Sequence, residues 1–374
     1  MKKTIYKYIF YEFLRYFATS LFTLAAIVWT VQAVNFLDLV TDDGHSFSIY
    51  FMYSILTSSK VITKLIPFCF LIAIVLTIIK LEKDNELIAL WTAGLNKMFI
   101  VNHIILISLI IMFLQLLLTI SINPTLLNLS RSLLKNSELQ FVSSMFKKKI
   151  FNDSVKGLTI FIEEKTDENI YKNIFIRDQS RILSSVGTKS STIIAKSGYM
   201  SNDEKVLFLF NGTIQKVGEN GNINIIKFEK TTFNVAKVST KSISQPKMQE
   251  TSTIIILRCL AGINIISHNC TSSKRTEMDT KIEINKRIGM PLFIPLIALV
   301  CSFLLTSQRN KKINYFNTYF YPIIGVLILA TSEIAVRYSG TSWNHTYIYY
   351  FFPIGMLPLV YYALIRKFKY ENLQ

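Results

Sequence analysis

Long uncharged stretches organise this chain. Between Arg15 and Asp38 lie 22 residues without charge, and between Lys97 and Arg131 lie 33. Between Arg287 and Arg309 lie 21, between Lys312 and Glu333 lie 20, and between Arg337 and Arg366 lie 28. A helix needs roughly 20 apolar residues to cross a hydrocarbon core of about 30 Å, so each stretch predicts one span. A sixth is shorter, because only 15 residues separate Lys64 from Lys80. Starting it at Val61 gives 19 residues, or about 28 Å at the helical rise. Lys64 then sits about a turn inside the outer boundary. The first stretch follows Lys2 and Lys3 but lacks a small-residue cleavage site after a short apolar core. It reads as a retained span rather than a signal peptide.

The pattern changes between about 125 and 286. Short alternating runs replace the long ones: "GLTIFIE" at 157–163, "STIIAKSGYM" at 191–200, "KVLFLFNGTI" at 205–214, "INIIKFEK" at 223–230 and "TTFNVAKV" at 231–238. Period-two alternation predicts strands, and Asn211-Gly212 and Asn220-Gly221 predict tight hairpin turns between them. Strands this short suggest an antiparallel sandwich or roll. Residues 125–146 read as a helix leading out of the third span. The expected fold is therefore membrane α-helical, with six transmembrane helices and an inserted antiparallel β domain. Residues 1–124 form an N-terminal transmembrane half, 125–286 the β-rich insert, and 287–374 a C-terminal transmembrane half.

Composition agrees: 51% of the 374 residues are apolar and 27 are Phe, unlike the more charged surface of a soluble domain. Charge sets the orientation. The short loops on the side of both termini carry Lys2, Lys3, Lys7, Arg15, Lys80, Lys83, Lys97, Arg309, Lys311, Lys312, Arg366, Lys367 and Lys369. The opposite short loops carry Lys60, Lys64 and Arg337. The excess of positive charge predicts cytoplasmic termini and an exported insert, in a multi-pass protein of the bacterial inner membrane. The formal net charge of +17 fits an anionic ligand or a basic proteome equally well. No nucleic-acid partner is expected.

Several chemistries lack their motifs. There is no phosphate-binding G-x-x-x-x-G-K-[ST] loop, no H-E-x-x-H and no G-x-S-x-G. The four His, His45, His103, His268 and His345, have no metal-ligand spacing. The span interiors hold few ionisable groups, which argues against intramembrane catalysis and proton coupling. No catalytic residue, metal or bound cofactor is expected, and any energy for transport has to come from a partner. Cys69 and Cys301 lie within spans and read as packing. Cys259 and Cys270, 11 positions apart in the exported segment, are either a disulfide or two free thiols.

The loop between the second and third spans reads "KLEKDNELIALWTAGLNK". Leu87, Leu90 and Trp91 fall on one helical face, Asp84 or Asn85 can cap the start, and Gly94 can end the helix. Such a short amphipathic helix suits docking into a partner's groove, or lying on lipid.

Pro67 through Lys97, with its in-span proline and the "ELIALWTAGLNK" loop, resembles the permease family of the lipopolysaccharide export ABC transporter, LptF/LptG. "GLTIFIEEKTDENIYKNIFI" looks like the first strands of that family's periplasmic domain, and "INKRIGMPLFIPLIALV" like the start of its fourth span. The resemblance covers essentially the whole chain. It implies a jellyroll-like insert, a paralogous permease subunit as partner, a cytoplasmic ATPase dimer that uses the ATP, and periplasmic bridge proteins that receive the lipid. The short cytoplasmic tail, the "VQAVNFLDLV" exit from span one and the strand pattern after Gly157 incline towards the F-type subunit, against Lys60, which is more like the G-type. The resemblance makes Glu86 the residue that meets a basic side chain of the ATPase, with Leu87, Leu90 and Gly94 shaping the docking helix.

The implied substrate is a phosphorylated, multi-acyl glycolipid. Phosphates need cations at headgroup depth. Lys60 and Lys64 share a helical face, and Arg287 stands at the outer end of span four. These three are the expected substrate contacts, against simple snorkelling to the interface. Spans one and five, with Phe17, Phe22, Trp29, Tyr319 and Phe320, are the implied lateral gate. Two other readings compete: a lipoprotein-release or efflux-type permease, which usually has four spans, and a non-transporting receptor with a periplasmic ligand-binding domain.

Overall fold

A computed structural model describes residues 2–41, 46–145, 149–155, 158–166, 170–178, 188–201, 206–218, 222–234, 247–261, 274–306 and 311–371. The chain divides into two compact units: residues 1–31, 57–128 and 247–374, and residues 32–56 and 129–246. The first is helical. The stretch 247–286, assigned to the insert on sequence, clusters with this helical unit.

The helices run in order α1 (Lys2–Asn35), α2 (Asp38–Thr41), α3 (Phe47–Lys83), α4 (Glu86–Thr92), α5 (Lys97–Leu117) and α6 (Asn123–Met145). After the strands come α7 (Thr253–Leu260), α8 (Lys274–Gly289), α9 (Phe293–Ser302), α10 (Lys311–Ser339) and α11 (Trp343–Glu371). Six of the resulting helical segments are long and apolar enough to cross a membrane. The second is not short. Helix α3 continues outward past Lys60 and begins at Phe47, so both lysines lie well inside it.

The core of the helical unit is apolar throughout. Phe13 of α1, Phe70 and Ile74 of α3, Ile104 of α5, Ile297 and Ala298 of α9, and Leu364 of α11 are buried together. Helix α9 is buried on every side. Helices α1, α10 and α11 instead expose Phe22, Phe316, Tyr319, Phe351 and Leu359. A helix apolar on its outer face is stable facing acyl chains or another helix, not water.

Prolines shape the spans. Proline has no N–H for the carbonyl four residues earlier and its ring crowds that turn. Pro124 follows a π-helical turn, Leu118–Ile122, that joins α5 to α6. Pro291 lies in a 3₁₀ turn, Met290–Leu292, between α8 and α9. Pro67 is inside α3. The carbonyl freed by each takes a side-chain donor from another element. Gln115 Nε2 donates to Thr63 O at 3.3 Å, Thr253 Oγ1 to Ile120 O at 2.7 Å, and Thr119 Oγ1 to Arg287 O at 2.9 Å. These bonds supply the donors that the prolines lack.

The second unit contains an antiparallel sheet of six strands: β1 (Asn152–Val155), β2 (Leu158–Lys165), β3 (Ile170–Asp178), β4 (Thr188–Met200), β5 (Val206–Gly218) and β6 (Ile223–Asn234). Among the described residues each strand pairs with its sequence neighbour, an up-and-down order. The crossed connections that define a jellyroll are not among these pairs. Ile160, Ile162, Ile174, Ile176, Leu207, Leu209 and Phe233 fill one face.

Asn211-Gly212 is not a turn. It lies within β5, where Asn211 takes φ 50° without breaking the register: Ala195 faces Gly212 and Ser197 faces Phe210 on β4, and Phe228 and Lys230 face the same two residues on β6. A Cβ on Gly212 would come within 2.2 Å of the Ile194 carbonyl oxygen, so the position admits only glycine. The runs at 223–230 and 231–238, expected as two strands, join in the single strand β6 up to Asn234. Asn220-Gly221 lies outside the described residues, between the paired ends of β5 and β6.

Candidate functional site

A cavity of about 410 Å³ opens in the helical unit, between α3, the α5–α6 junction, α8 and α10. Lys60, Thr63, Lys64 and Pro67 line it from α3, Gln115, Thr119 and Asn123 from the α5–α6 junction. Glu283, Lys286 and Arg287 line it from α8 and Glu333 from α10. Lys60 and Lys64 are one turn apart, as the sequence spacing requires. Lys60 also lies within reach of the charges on Lys64, Lys247, Lys286 and Glu283. Neither Lys60 nor Lys64 forms an ion pair among the described residues. Lys286 pairs with Glu333 at 3.0 Å, tying α8 to α10. An unbalanced pair of ammonium groups beside a compensated pair makes the wall net cationic, suited to an anionic group.

Arg287 also borders the cavity, but its geometry gives it a different task. It is 4% exposed and all five N–H groups are engaged. Nε donates to Glu283 Oε1 at 2.9 Å, Nη1 to Thr251 O and Thr253 Oγ1, and Nη2 to Met248 O and Gln249 O. A guanidinium has five donors and no more. Arg287 therefore fastens the segment before α7 to α8 and has no N–H left for a substrate. The sequence located the charge correctly but could not reveal what the folded chain already bonds to it.

The loop after α3 does form a short helix, α4, ended by Gly94 at φ +79°. Asn85 takes the N-cap position in a left-handed conformation, φ 58°, with no side-chain capping bond. The apolar face points inward. Leu87 is 6% exposed and belongs to the main core, and Leu90 and Trp91 pack against it. The outward surface is instead Ile88, Ala89, Thr92 and Ala93. Glu86 is half-buried and accepts a hydrogen bond from Tyr8 Oη of α1 at 2.8 Å. Nearby, Lys80 pairs with Glu12 of α1 at 2.8 Å, so α1 holds both ends of this corner.

Cys69 and Cys301 are free and buried. Cys259 is disulfide-bonded and 7% exposed, and Cys270 lies outside the described residues. No group of three metal-ligating side chains occurs among the described residues. His103 is a packing residue that meets the Tyr6 carbonyl at 2.9 Å.

Residues 7–366 match the model of one protein family, the lipopolysaccharide export system permease LptF/LptG. The chain belongs to this family. An uncharacterized protein of Rickettsia prowazekii (strain Madrid E) is 26% identical over 357 residues, covering 92% of this chain and 94% of that protein. Membership in the LptF/LptG family joins the six apolar helices and the β-sheet unit in one description: a multi-pass membrane permease component of a transport system. Sequence reasoning missed Gln115, Thr119, Asn123, Lys286 and Glu333 as cavity residues. The signal was present, since a Gln and an Asn inside a 33-residue uncharged stretch need partners.

Proposed function

We propose that this chain is a permease subunit that draws lipopolysaccharide out of the outer leaflet of the inner membrane and passes it to a periplasmic bridge. Family membership supports the general role. The cavity beside α3 is the observation that carries the specific one, because it combines an apolar lining with Lys60, Lys64 and Lys286. A phosphorylated headgroup fits such a wall, with acyl chains remaining against the exposed apolar faces of α1 and α10. The lysine and arginine bias of the short loops supports cytoplasmic termini and a periplasmic β-sheet unit in this reading.

Energy enters from a separate cytoplasmic ATPase dimer that docks on α4. The supporting features are the outward Ile88, Ala89 and Thr92, with Glu86 at the helix start. A paralogous permease subunit completes the membrane complex. The bridge joins at the β-sheet unit, where β6 is an edge strand among the described residues and exposes Ile223, Ile225 and Ile226. The chain itself binds no cofactor in this reading. Co-purification from the native membrane tests it. The expected result is recovery of an ATPase and a second permease, and recovery of neither overturns the proposal. Lys60→Gln with Lys64→Gln is expected to lower lipopolysaccharide binding at least tenfold without reducing the amount of inserted protein.

A further inference from the structure

We propose that Gln115 and Asn123 form a pair of acceptors that read hydroxyl or amide N–H donors beside a phosphate. They make the cavity selective for a phosphorylated sugar headgroup over a phosphate ester that lacks such donors. The inference rests on the reading of the cavity as a headgroup site and assigns its selectivity to two residues.

Both amides are oriented by the chain itself. Pro67 has no N–H, so the carbonyl of Thr63, four residues earlier, needs another donor. Gln115 Nε2 supplies it at 3.3 Å. A carbonyl only accepts, so the Gln115 amide cannot be turned round. Asn123 Nδ2 donates to Thr63 Oγ1 at 2.7 Å. The single hydroxyl proton of Thr63 is directed at the carbonyls of Ser59 and Lys60, both at 3.1 Å, so this Oγ1 must accept from Asn123. With both nitrogens held on Thr63, Gln115 Oε1 and Asn123 Oδ1 are left to find other donors.

Among the described residues neither oxygen meets a donor, although both are buried atoms. Gln115 is 3% exposed. Buried acceptors without a partner are uncommon in folded proteins and call for an explanation. Here both residues line the cavity that also carries Lys60, Lys64 and Lys286. A phosphate alone offers acceptors to the lysines and nothing to the two amide oxygens. A sugar ring bearing the phosphate offers O–H groups, and N–H where it is an acylated amino sugar. One ligand then satisfies both kinds of wall group. A site with buried acceptors rejects an analogue lacking the donors, because its own groups stay unpaired. The π-helical turn before Asn123 helps, since the altered winding sets Gln115 and Asn123 against the same residue of α3.

The test uses the full chain in lipid nanodiscs and two probes: a phosphorylated glucosamine disaccharide lipid, and phosphatidic acid, a phosphate monoester without headgroup donors. Wild type is expected to bind the sugar lipid at least tenfold more tightly, roughly the worth of one hydrogen bond. Gln115→Met with Asn123→Leu is expected to bring the ratio to within about twofold, leaving phosphatidic acid binding unchanged. Wild type without a preference, or a double variant that keeps it, overturns the proposal. Asn123→Ala alone removes one acceptor at a half-buried position and serves if the double variant does not fold. Its ratio is expected to fall severalfold, and an unchanged ratio overturns the proposal equally. Lys60→Gln with Lys64→Gln weakens both probes and preserves the ratio. If those lysine variants leave both probes unaffected, the headgroup reading itself has failed, a result distinct from loss of selectivity.

Discussion

Arg287 shows how far a single residue's chemistry depends on its neighbours. Its charge invites a substrate role, yet every N–H is bonded within the chain. A lysine there would keep the charge and lose the planar fork that holds four main-chain and side-chain oxygens of residues 248–253. Arg287→Lys is therefore expected to lower stability by about 3–5 kcal/mol, the cost of breaking a buried charged network, read as a drop in melting temperature in detergent. If Arg287 bound substrate through charge alone, the same variant would melt normally. Gly212 is a second position where one atom decides. Gly212→Ala places a Cβ against the Ile194 carbonyl oxygen. It is expected to cost about 1–3 kcal/mol, checked by thermal unfolding. Its place inside a strand was hidden in the sequence, because Asn-Gly is the strongest short hairpin signal and only the pairing with both flanking strands shows that the chain runs straight through it.

Helix α4 carries the main lesson at the scale of an element. Its periodicity was readable, and so was its terminating glycine. The direction of its apolar face was not, because a seven-residue helix against a large core buries the side that the sequence alone leaves unassigned. The consequence separates two kinds of variant. Leu87→Ala is expected to destabilise the protein by about 2–4 kcal/mol through a cavity in the core, measured by detergent melting. Glu86→Lys is expected to abolish export with insertion and melting unchanged, since the Tyr8 hydroxyl is its only bonded partner among the described residues. Normal export in Glu86→Lys would show that the ATPase does not dock here. A surface change at Ile88, such as Ile88→Asp, belongs with Glu86 and not with Leu87.

Across the whole molecule, the uncharged stretches gave the six spans, because crossing a hydrocarbon layer imposes a length that any sequence must display. The alternating runs gave the antiparallel insert, but neither its strand order nor the union of its last two runs in β6. The cavity was half legible: Lys60 and Lys64 stood out as charges, whereas Gln115, Asn123 and Lys286 come together only through the packing of α5, α6 and α8 against α3. Cys259 is disulfide-bonded. Peptide mapping without reduction is expected to join it to Cys270, and closing a loop of this size contributes roughly 3 kcal/mol. A Cys259 peptide linked elsewhere, or free, would remove that pairing. The three prolines extend beyond this one chain. Each leaves a carbonyl that a particular side chain answers: Gln115 for Pro67, Thr253 for Pro124 and Thr119 for Pro291. Residues tied in this way ought to be inherited as couples. A relative that has replaced one of these prolines regains the missing amide, and the polar group opposite is then free to drift.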